Sequence, residues 1–344
     1  MPTRSKSLFT RTTAAIRKRV DSYLARRPHR SFRLTRRRDY VRSLTLPGYF
    51  AFTKQVNSTI WKYRKVFIPL VIVYAVFSGL LVGLGSQESY SNLTATLKET
   101  GTEVFKGNLG ELGRAGLLFA SIGASGLTGT LTEGQQIYAA ILALLVWLTT
   151  VWLLRNLIAG HKVKMRDGLY SAGAPLVATL IVGILMAIQL LPIAIATLGY
   201  SAAEASGLLS GGVATMLFWV AAALLGALSL FWVTSTFFAL IIVTLPGTYP
   251  IKALRISGDM VVGRRIRILL RIVWMTLVVV VVWALVLLPT ILLDGWLKGI
   301  WSQIEWLPII PVALLIMATI TFVWSAAYVY LLYRKVIEDD ADPA

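Results

Sequence analysis

Arginine and lysine are the residues with which this chain could engage phosphate, and they are gathered into clusters. Arg17, Lys18 and Arg19 form one cluster, Arg36, Arg37 and Arg38 a second, and Arg264 with Arg265 a third. A guanidinium offers a planar fork of donors that fits phosphate oxygens, while an ammonium acts as a point charge. Beside an anionic lipid surface each such cation contributes about 1 kcal/mol. The clusters are therefore expected to contact anionic headgroups of membrane lipids. Nucleic acid or the ribosome is a rival partner, through phosphate neutralisation and stacking on Phe32 and Tyr40. An acidic protein in a membrane complex is a third.

Catalysis needs titratable groups that converge, and the sequence supplies little for it. There is no cysteine, which removes thiolate nucleophiles, disulfides and cysteine metal ligands. The two histidines, His29 and His161, are far apart and neither has metal-ligand company. No set of Ser, His and acid can be assembled, and there is no phosphate loop. We expect a non-enzymatic protein with no catalytic residue, no metal and no cofactor. Within the apolar runs the most polar position is Gln189, followed by Leu190, Leu191 and Pro192. It reads as an interhelical hydrogen bond beside a proline kink, with the lining of a solute path as the alternative. Gly79 and Gly83 make a GxxxG pair that would let a second helix approach closely.

The elements that must carry these groups follow from the apolar content. Of 344 residues 56% are hydrophobic and 15% charged, an apolar excess that one soluble core could not hide. A bilayer core of about 30 Å needs roughly 20 apolar residues in a helix. Six uncharged runs meet that length: 66–85, 137–154, 176–198, 214–244, 272–293 and 309–333. The fold class is accordingly all-α, a polytopic integral membrane protein with a six-helix bundle over 66–335 and a short acidic tail over 336–344. None of the six runs contains an Asp, Glu, Lys, Arg or His, which lowers the expectation of a proton-coupled transporter.

Cationic segments tend to remain cytoplasmic. Residues 1–65 hold 18 Lys and Arg against Asp21 and Asp39. The connections at 155–175 and 245–271 are also basic, while 86–136 carries five Glu against three basic residues. One orientation satisfies all of them, with both termini in the cytoplasm. Tryptophans 296, 301 and 306 cluster at the outer boundary, and Asn92-Leu93-Thr94 fits a glycosylation acceptor on the outer loop. The segment 113–136 is read as interfacial or re-entrant, because one further span there would place 245–271 outside.

The arm itself divides in two. Leu8, Thr12, Ile16, Val20 and Leu24 recur at a four-residue spacing beside basic residues, which predicts an amphipathic helix ahead of Pro28. After Pro47-Gly48, residues 49–65 read as an interfacial helix leading into the first span. The basic connections after the second and fourth runs each resemble a short amphipathic helix entering the next span.

The segment 249–270, with Ala253, Leu254, Ser257-Gly258, Val262, Gly263, Arg264, Arg265 and Ile268, resembles the loop of a bacterial six-helix membrane family. That family includes the membrane domain attached to some glycerophosphodiester phosphodiesterases. The resemblance covers at most residues 140–335 and implies a membrane module without hydrolysis, because the catalytic barrel has no counterpart here. The Arg27-Pro28-His29-Arg30 and Leu46-Pro47-Gly48-Tyr49 segments are similar to N-termini of membrane proteins from candidate-phyla-radiation bacteria, which implies a bacterial cell membrane. The expected role is membrane organisation or a subunit of a larger membrane assembly. The rivals are passage of a small uncharged solute or lipid, and tethering of ribosome or nucleic acid by the arm.

Overall fold

In lipid no water satisfies the backbone, so a long apolar run must bond to itself as helix. The computed structural model, which describes residues 46–82, 132–207, 211–301 and 309–341, is helical throughout apart from turns. Nine helices occur among the described residues: α1 Tyr49–Lys62, α2 Arg64–Val82, α3 Glu133–Ile158, α4 Met165–Ala172, α5 Leu176–Ala205, α6 Val213–Ile242, α7 Pro250–Val261, α8 Arg265–Ile300 and α9 Ile309–Ala341. Six of them, α2, α3, α5, α6, α8 and α9, are long and apolar enough to cross a membrane, which marks a multi-pass membrane protein. The amphipathic segment at 8–24, the Asn92 sequon, Gly83 and Trp306 lie outside the described residues. So does 113–131 of the segment read as interfacial or re-entrant.

Several helices run past the apolar stretches expected from sequence. The α3 helix starts at Glu133 through a capping box, in which Thr132 N donates to Gln135 Oε1 at 2.9 Å and Gln135 N to Thr132 Oγ1 at 3.4 Å. It continues through Arg155 to Ile158, and α8 takes in Arg265, Arg271 and Asp294. A charge ends an apolar run in sequence without ending the helix, because a charged side chain can be housed by neighbours while its backbone stays hydrogen-bonded. Pro192 lies inside α5, as expected, while Pro289 lies inside α8 and Pro69 inside α2.

Both basic connections contain short helices. In the first, α4 opens where Lys164 N donates to Asp167 Oδ2 at 2.9 Å, satisfying one orphan end of the helix. In the second, Pro250 supplies a preset φ at the first position of α7. Between α7 and α8 the chain reverses at Gly263, whose φ of 79° is costly for any residue with a Cβ.

The core lies among α1, α2, α3, α9 and the adjoining ends of α6, α7 and α8, where Phe52, Phe67, Phe238, Ile268 and Tyr328 are fully buried. The α5 helix packs chiefly on α6. In the most apolar stretch of α5, and likewise of α6, only 11% of residues are buried, against 50% for α9. The bundle therefore has a packed half and a thinly covered half.

Candidate functional site

The basic connections and α1 meet at one end of the bundle, and contacts between distant segments define that end. Tyr63, in the turn between α1 and α2, donates its hydroxyl to Leu157 O near the end of α3 at 3.1 Å. Arg155 reaches from α3 to the end of α6, where Nη1 donates to Thr244 O at 3.1 Å and Nη2 meets Thr244 Oγ1. A carbonyl just past a helix C-terminus lacks an intrahelical donor, and a guanidinium there supplies both the bond and the charge that suits the helix dipole.

Arg271 holds α1 in place. Its Nη2 donates to Pro47 O, and the guanidinium lies 4.2 Å from the centroid of Tyr49 and 5.8 Å from that of Phe52. One helical turn on, Trp274 Nε1 donates to Thr53 Oγ1 at 3.1 Å. The other side of α1 is fixed to α9, where Trp324 Nε1 donates to Asn57 Oδ1 at 2.7 Å and Phe52 meets Tyr328 edge-on at 4.8 Å. The segment expected to be interfacial is thus a helix clamped across α8 and α9.

Arg264 and Arg265, paired in sequence as headgroup contacts, have different surroundings. Arg264 is only 3% exposed, so its side chain is enclosed by the protein and is poorly placed to meet a headgroup. The half-buried Arg265 lies 3.7 Å from the ring centroid of Phe231 on α6 and donates to that residue's carbonyl at 2.9 Å. Arg17, Lys18, Arg19, Arg36, Arg37 and Arg38 lie outside the described residues. His161 is exposed in the connection before α4. Among the described residues there is no group of His or acidic side chains that could hold a metal ion.

Within the apolar layer, polar side chains meet across helices. Thr236 on α6 donates to Gln189 Oε1 on α5 at 2.6 Å. One turn along, Ile193 N, just after Pro192, donates to Ser229 Oγ at 3.2 Å. Thr149 donates to Leu145 O at 2.7 Å, so its single proton is committed and Tyr74 Oη is the donor in the 2.8 Å bond between α2 and α3. Trp283 Nε1 on α8 donates to Thr321 Oγ1 on α9 at 2.7 Å. Gly79 serves close approach inside the chain: a Cβ there would lie 3.0 Å from Leu315 Cδ1 on α9.

Beside α1 a groove of about 880 Å³ opens between α2 and α9. Its upper rim is polar, with Lys54, Asn57 and Ser58 from α1 and Arg64 at the start of α2. Trp61 stands at the rim with 66% of its surface exposed, and the Arg64 guanidinium lies 5.2 Å from its ring centroid. Below the rim the walls are aliphatic, Ile68 and Ile72 on one side and Ile316 and Ile320 on the other. Sequence reasoning missed this groove. A signal existed, since Lys54, Asn57, Ser58 and Trp61 share one helical face, but nothing local pairs that face with α9, more than 250 residues away.

Neither the chain nor any part of it matches a family model, a curated protein or a solved structure.

Proposed function

We propose that this chain is a non-enzymatic membrane protein that organises the membrane or serves as a subunit of a larger membrane assembly. We place it in a bacterial cytoplasmic membrane with both termini in the cytoplasm, on the basic character of 1–65, 155–175 and 245–271. The resemblance of 249–270 to a bacterial membrane-module loop supports the same reading. The observation that carries the role is the use made of intramembrane polar groups. Gln189, the side chain best suited to line a polar path, bonds instead to Thr236, and Tyr74, Thr149, Trp283 and Thr321 likewise join helix to helix. Meanwhile α5 and α6 leave most of their apolar surface uncovered within the chain, which suits a bundle that works among lipids or other membrane subunits.

The test is reconstitution into vesicles with flux of candidate lipids and small uncharged solutes measured beside empty vesicles. Absence of saturable flux, together with extraction from native membranes as a particle larger than the monomer, is the expected result. Saturable flux that Gln189→Leu abolishes would replace this reading with the passage of solute or lipid.

A further inference from the structure

We infer that the groove between α2 and α9 is a binding site for one anionic phospholipid, its phosphate held at Lys54 and Arg64 and one acyl chain lying against Ile68, Ile72, Ile316 and Ile320. The groove has the graded character of such a molecule. Its rim offers two cations and the hydroxyl of Ser58, and among the described residues no acidic one lines it. The Asn57 amide, whose Oδ1 accepts from Trp324, lines the same rim and also carries an NH2 donor group. Arg64 is oriented by the Trp61 ring, so the fork is partly ordered before a ligand arrives.

The two ends of the groove are matched to the two phases of a bilayer leaflet. An exposed Trp beside an Arg is the pair expected at headgroup depth. From Arg64 to Ile72 is eight residues of α2, about 12 Å at the helical rise, which carries the groove well into the acyl region. There Ile72 is 57% exposed and Ile320 43% exposed, so the walls are open sideways to lipid and an acyl chain can enter without leaving the bilayer. A volume of about 880 Å³ lies in the range of sites that hold a sizeable small molecule. Charge complementarity selects the headgroup: a zwitterionic lipid brings its own cation to a rim that already holds two, whereas phosphatidylglycerol brings only the anion.

The site is built from residues other than Arg264 and Arg265, and it is specific where a basic surface is merely adhesive. Native mass spectrometry of the full chain released from nanodiscs of equal phosphatidylglycerol and phosphatidylcholine separates the two. We expect one tightly retained phosphatidylglycerol, preferred about tenfold, with the preference lost in Lys54→Ala/Arg64→Ala and kept in Lys62→Ala/Lys65→Ala. Ile320→Trp, which fills the aliphatic part and leaves the cations untouched, should abolish retention of either lipid. Should the double variant fail to yield folded protein, Ile320→Trp and the wild-type preference decide the matter alone. Equal retention of the two lipids by the wild type, an equal loss in the Lys62/Lys65 variant, unaltered retention in Ile320→Trp, or displacement by millimolar inorganic phosphate alone would each overturn the proposal.

Discussion

Gly168 and Gly183 both sit inside helices, yet a methyl group added to each meets different surroundings. At Gly168 a Cβ would lie 2.8 Å from Leu153 Cγ and 3.2 Å from Thr149 Cγ2, and a branch carbon on a packed leucine cannot swing aside. At Gly183 nothing lies within 4 Å. Gly168→Ala is therefore expected to destabilise the protein by about 1–3 kcal/mol through overpacking. Gly183→Ala removes backbone freedom at no steric cost and should stabilise by about 0.5–1 kcal/mol. Thermal unfolding in one detergent measures both, and equal effects would refute the packing assignment. The Gln189–Thr236 bond makes a second residue-scale prediction. A double-mutant cycle with Gln189→Leu and Thr236→Val should return a coupling of roughly 0.6–1.7 kcal/mol, the range for hydrogen bonds between membrane helices. A coupling of zero would mean that the contact contributes nothing to holding α5 on α6. The sequence singled out Gln189, as an interhelical bonding residue or the lining of a solute path, because an amide in an apolar run has few other options. It could not identify Thr236 as the partner, since threonines are frequent in such runs and their hydroxyls can return to their own backbone.

At the scale of elements, the apolar runs located six helices because period and length are local properties. Helix ends were less legible. Arg155 and Arg271 look like the edge of the membrane in sequence, but each is a helical residue whose side chain reaches a carbonyl on another element. The docking of α1 depends on such a reach. With Arg271→Gln the Pro47 carbonyl loses its donor and the Tyr49 ring its cation, a loss of about 1–3 kcal/mol. Local opening of α1 should then rise by about 5- to 150-fold. Amide hydrogen exchange is the direct measure: protection should fall over 49–62 and stay unchanged over the middle of α5. A uniform fall across the bundle would instead place Arg271 in global stability. Arg155→Lys should loosen the end of α6 in the same way, because an ammonium cannot reproduce the two-pronged contact with Thr244.

At the scale of the whole molecule the question is which ends face the same side. Contacts already group the two flanks of α1, the end of α3, the end of α6 and the start of α8, through Tyr63 with Leu157, Arg155 with Thr244 and Arg271 with Pro47. Charge counts in sequence reach the same grouping by an independent route, since cations avoid translocation whatever the helices do afterwards. The groove beside α2 and α9 was illegible because it exists only once the chain has folded back across the bundle. The absence of cysteine gives a clean background for a side-specific test. Single cysteines at the exposed positions Lys54, Lys162 and Lys252 should all react with an impermeant maleimide from the cytoplasmic face, and one at Glu204 only from the opposite face. Labelling of Lys54 and Lys162 from opposite faces would contradict both the charge rule and the Tyr63–Leu157 contact. Labelling of all three from the outside would preserve the fold and reverse the proposed orientation.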